Sequence, residues 1–143
     1  YEKIWQCDRP SNPFALRVHG ISNEDARTSQ NTPDVELKIF LDLLGRLAQH
    51  GGVLVAHNLA FDTRMLRQTA EHSGITYDDA TWRSFCTVKG LKPRSVEERG
   101  KNCKNGDVYS YLNGPPLGTL HRALADSRAT SFIYFTGKRR EWW

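Results

Sequence analysis

A helical pattern that runs straight into a buried-strand pattern, and then into a second helix, restricts the fold of this sequence more than any other feature. Thr32 stands where a helix N-cap is favoured, and Pro33 at the first helical position, where its missing N–H costs nothing. Val35, Ile39, Leu43 and Leu47 recur every four residues, with Phe40 and Leu44 widening the stripe, until Gly51-Gly52 ends it. Val53-Leu54-Val55-Ala56 follows at once. It is fully apolar and rich in β-branched residues, as a strand covered on both faces of a parallel sheet is. Phe61, Met65, Leu66, Thr69 and Ala70 then give a second helical pattern, stopped by Gly74.

Further along, residues 81–87 read as another strand, and the basic stretch 89–106 as loop or short helix. Residues 107–112 read as a short helix, and 120–135 as a last helix with Gly137 as its stop. Near the start, Ser22-Asn23-Glu24-Asp25 puts a capping hydroxyl ahead of acidic residues, which suits a helix start. Helices alternating with buried strands give an α/β layered fold in a single domain over residues 1–143. Two strands are too little sheet for three or more apolar helix faces, so the expected domain is incomplete on its N-terminal side.

Composition excludes other classes. With 38% hydrophobic and 25% charged residues the chain is neither disordered nor membrane-spanning in character. Its longest apolar run, those same four strand residues, is far short of a span, and no signal peptide opens it. Cys7, Cys86 and Cys103 are odd in number and form no C-x-x-C pair, which predicts an intracellular setting, cytoplasm or nucleus, and no structural zinc. The net charge of +4 permits a polyanionic partner. Lys89, Lys92, Arg94, Arg99, Lys101 and Lys104 crowd one segment, which fits either a solvated loop or a phosphate-contacting surface.

Two passages carry chemistry. In Ala56-His57-Asn58-Leu59-Ala60-Phe61-Asp62 a buried strand ends at His57-Asn58 and a helix starts with an aspartate. Ligands of open α/β sheets bind at such strand ends. The same residues also fit a plain helix start, Asn58 capping it and Asp62 complementing its dipole. In His121-Arg122-Ala123-Leu124-Ala125-Asp126, His121 and Asp126 would lie about 140° apart on one regular helix. They can share a site if His121 sits on the preceding loop and Asp126 projects from the helix's second turn. An exposed histidine and a surface aspartate are the plain alternative.

Together these passages resemble the DEDDh (DnaQ-like) 3′–5′ exonuclease superfamily, whose second motif is similar to residues 57–62 and third to residues 121–126. Val18-His19-Gly20-Ile21-Ser22 and Asn105-Gly106-Asp107-Val108-Tyr109 also resemble family segments. The resemblance implies an α/β, ribonuclease H-like layered fold, a mixed sheet flanked by helices, here without its first strands. The family's first motif, an Asp-x-Glu on the first strand, is absent from these 143 residues, which are expected to be nearly inactive alone.

The activity implied is metal-dependent 3′–5′ hydrolysis of phosphodiester bonds, with two divalent cations, Mg2+ or Mn2+. By the same resemblance Asp62 and Asp126 are metal ligands and catalytic, and His121 is the general base. Asn58, Phe61 and His57 neighbour that site and are the candidate nucleic-acid contacts, with a core position the equal alternative for Phe61. The implied partners are single-stranded DNA or RNA 3′ ends, with a polymerase or a second copy of the chain, and no membrane. Tyr109, Tyr111, Trp142 and Trp143 are further stacking candidates, and the final tryptophan pair either docks back or meets a partner. The competing reading is a non-catalytic relative that binds nucleic acid or a polymerase. A serine hydrolase or phosphatase is disfavoured, because no G-x-S-x-G elbow or phosphate-cradling glycine loop occurs.

Overall fold

A computed structural model of the chain describes residues 2–99, 103–117 and 122–143, without the side chains of 98 and 99. These residues fall into two compact units, Tyr1–Gly52 with Thr63–Trp82, and Val53–Asp62 with Arg83–Trp143. The fold is mixed α/β, mostly helical with a small parallel sheet.

In the first unit, α1 (Pro13–His19) starts from the Asn12 side chain and ends on left-handed Gly20. In α2 (Asn23–Thr28), Ser22 and Asp25 form a reciprocal capping box. The long α3 (Pro33–Gln49) starts after Thr32, whose hydroxyl hydrogen-bonds the Asp34 carboxylate and holds its pKa low instead of capping a backbone N–H. Glu36 is buried, and Lys3 reaches it at 2.6 Å, which removes the cost of an unpaired buried charge. The helix α4 (Leu59–His72) ends in a Schellman arrangement around Gly74, with Ile75 N donating to Ala70 O at 2.9 Å.

The buried face of α3 takes in only one flank of the expected apolar stripe. Leu44 is buried and Phe40 partly so, together with Leu37, whereas Val35, Ile39, Leu43 and Leu47 are 41–50% exposed. The four-residue spacing gives the helix, and not which flank of its wide apolar surface is covered.

The second unit holds that sheet. Strands β1 (Val53–Ala56) and β2 (Arg83–Cys86) pair in parallel, Val53 opposite Arg83 and Ala56 opposite Cys86. Short helices α5 (Thr87–Leu91) and α6 (Val96–Arg99) occupy the basic stretch, followed by α7 (Asn105–Tyr111) and α8 (Ala123–Arg139). The core joins Leu91 of α5, Val108 and Tyr109 of α7, Leu112, and Ala129 and Ile133 of α8. Helix α8 also packs on β1.

Gly137 was expected to stop the last helix, but α8 continues through it to Arg139. Its function is spatial. A methyl there would lie 2.6 Å from Trp143 Cε2 and nearer still to two other ring atoms, and one on Gly90 would lie 2.8 Å from Cε3. Trp143 therefore seats its indole against two bare backbones and packs with Phe85 at 5.0 Å between ring centroids. The terminal tryptophans dock back on their own unit, with Arg140 over the Trp142 ring.

Candidate active site

The site is built where β1 hands over to α4. Asn58 has φ 73°, a left-handed conformation that asparagine adopts more readily than most residues, and Phe61 N closes the turn onto Asn58 O at 2.8 Å. This sharp reversal places Asp62 in the first turn of α4, where the helix dipole favours a carboxylate. Asn58, Phe61 and Asp62 are all exposed, and half of the Phe61 surface is open to solvent. The protein around the Asp62 carboxyl nevertheless pushes its pKa up by desolvation, against a smaller lowering by its own backbone N–H. Among the described residues it has no ion-pair partner.

His57, one residue earlier, is half-buried and engaged at both ring nitrogens. Nε2 lies 2.6 Å from Cys103 O, and Nδ1 lies 2.8 Å from Oγ1 of fully buried Thr87. A carbonyl only accepts, so Nε2 carries the proton. Burial lowers the pKa of the ring, outweighing the carbonyl's opposite pull. The neutral ring then accepts the Thr87 hydroxyl at Nδ1, the nearer of that hydroxyl's two acceptors; Ala56 O is 3.3 Å away.

Asp126 stands in the first turn of α8, a turn earlier in its helix than expected because α8 starts at Ala123. Its peptide oxygen accepts from Asn105 Nδ2 at 3.0 Å and from Thr130 Oγ1 at 2.9 Å. Cys103 grips His57, and Asn105, two residues on, grips Asp126. Both carboxylate-bearing segments are thus tied to one three-residue stretch. Thr87, Cys103 and Asn105 gave no sign of this in the sequence, since each bond spans at least 21 residues. His121 lies outside the described residues.

The donor chemistry suits a hard cation, because Asp62 offers a partly desolvated carboxylate that a metal would neutralise. No group of three or more histidine, cysteine, aspartate or glutamate side chains is placed to hold a metal among the described residues. Of the stacking candidates, Tyr109 is buried in the core and Tyr111 is exposed.

The family model described as Exonuclease, RNase_T, matches residues 3–134. The chain belongs to this exonuclease family. Both carboxylate segments and the connecting stretch lie inside the match, which supports a nuclease function and a nucleic-acid substrate in general terms. Exonucleases of this family generally use divalent metals. No curated protein and no solved structure gives a significant match. No helix among the described residues is long and apolar enough to cross a membrane.

Proposed function

We propose that residues 1–143 act as one exonuclease-like domain that removes nucleotides from single-stranded 3′ ends in a metal-dependent reaction. What supports this most is the tying of the Asp62 and Asp126 segments to the single stretch 103–105, within a chain of the exonuclease family. In this reading the two carboxylates hold divalent cations, Mg2+ or Mn2+, which supply charge stabilisation to the attacking and leaving oxygens. His121 takes the proton of the attacking water on an imidazole nitrogen. Phe61 offers an exposed ring for the terminal base to stack on, and Asn58 offers an exposed amide in the same turn. His57, with both nitrogens engaged, positions this turn.

Two carboxylates hold a cation pair weakly, so the 143-residue chain is expected to cleave slowly until further acidic ligands are supplied. The test is release of a 3′ label from a single-stranded oligonucleotide in Mg2+ or Mn2+. Asp62→Asn and Asp126→Asn should abolish release, and His121→Ala should lower it about 10²–10⁴-fold. Undiminished cleavage by either aspartate variant, or initial release from the 5′ end, overturns the assignment. The absence of a three-ligand cluster among the described residues favours a second reading, a relative that binds single strands without cutting them. Binding without cleavage under every metal condition, even with the acidic ligands supplied, would establish that reading.

A further inference from the structure

The segment between Thr87 and Asn105 is fixed at its ends in a way that its composition does not require. Thr87 Oγ1 and Cys103 O meet the two ring nitrogens of His57, so one imidazole closes the segment into a loop. Cys103 takes φ 48°, a left-handed conformation rare for residues other than glycine. Asn105 then fastens the far end to the Asp126 peptide. Lys104 sits between these two anchors, one residue from the grip on His57 and one from the grip on Asp126, and its side chain is exposed. Lys89 and Lys92, just past the Thr87 anchor, are exposed as well.

From 87 to 107 the sequence has six lysines and arginines against three carboxylates, which gives this segment three of the chain's net four positive charges. A solvated basic loop has no need of three hydrogen bonds to the two segments that carry the proposed metal ligands.

We propose that the two anchored ends of this segment, residues 87–92 and 103–105, form the track for the phosphodiester backbone of the substrate strand. Lys104 meets a phosphate next to the scissile one, and Lys89 with Lys92 meets phosphates further from the 3′ end. The inference rests on the exonuclease reading and adds to it the surface that holds the strand.

The test measures binding of a fluorescein-labelled single-stranded oligothymidylate by anisotropy, in Ca2+ to suppress cleavage, across a series of salt concentrations. Each phosphate contact on a single strand contributes about 0.7 to the slope of log affinity against log salt. Lys89→Gln, Lys92→Gln and Lys104→Gln together should lower the slope by about 2 and leave the melting temperature unchanged. Neutralising three exposed cations elsewhere, Arg9, Arg17 and Lys38, should leave the slope as it was. An unchanged slope in the lysine variant, or an equal fall in the control, overturns the track while the exonuclease reading stands. Failure of the unaltered chain to bind the oligonucleotide at low salt overturns both.

Discussion

Replacing Gly137 by alanine should destabilise the chain, although the position is inside a helix where alanine is ordinarily the better residue. In an exposed helix interior Gly→Ala gains about 1 kcal/mol. Here the new methyl would lie 2.6 Å from Trp143 Cε2 and closer to two other ring atoms, all in a rigid indole that cannot bend aside. Trp143 also packs against Phe85 and Tyr134 at centroid distances of 5.0 and 6.2 Å, so its ring must move as a body or the helix must yield. Over-packing of this kind costs about 1–3 kcal/mol. Set against the helical gain, Gly137→Ala should lose up to about 2 kcal/mol net. In a Trp143→Ala background the clash disappears, and the same substitution should stabilise by about 1 kcal/mol. The coupling energy of the cycle is then about 1–3 kcal/mol, beyond the additivity expected of independent sites. Urea unfolding followed by far-ultraviolet circular dichroism measures it without relying on tryptophan emission. If alanine at 137 stabilises equally with and without the indole, the account of Gly137 as a seat for Trp143 is wrong.

Thr87→Val keeps the shape but leaves His57 Nδ1 without its donor, and should cost about 1–3 kcal/mol in the same unfolding experiment. Because His57 has a folded-state pKa below 6.5, its contribution to stability is complete above that value. It is lost as pH falls from 6.5 toward the folded pKa, and His57→Gln should flatten that part of the pH–stability curve. Asp62 runs the other way. Its folded pKa is raised above 3.8, so the stability it lends is complete below 3.8 and disappears as pH rises through the folded value. Carboxyl-carbon NMR should place its titration above 3.8, and Mg2+ should move it down; no metal response would remove Asp62 from the ligand set.

Features set by adjacent residues were legible in the sequence. The Ser22–Asp25 box, Thr32-Pro33, the Val53–Ala56 strand and the Gly74 stop each depend on a few neighbours, and each reappears in the structure. The strand is not covered on both faces as expected: Val53 is exposed and the other three residues are partly buried. The helix at Pro13 carries the same kind of local signal, Asn12 before a proline. What could not be read locally depends on distant segments. The Gly137 stop failed because the reason for a glycine there lies at Trp143 and not in the helix. The α3 stripe failed because periodicity gives the helix but not the neighbour that covers it. At the site, Asn58 and Asp62 stood out by their place after a strand. The ties from His57 to Thr87 and Cys103, and from Asn105 to Asp126, join segments at least 21 residues apart.

The open flank of α3 also bears on how this chain reports on itself at the bench. Val35, Ile39, Leu43 and Leu47 present a continuous oily ridge to solvent along three helical turns. Environment-sensitive dyes such as anilinonaphthalene sulfonate respond to surfaces of this kind, which are otherwise taken as the mark of loosened packing. The chain should therefore be bright with dye while still folded, and a dye-monitored melt would begin from a high baseline with little left to rise.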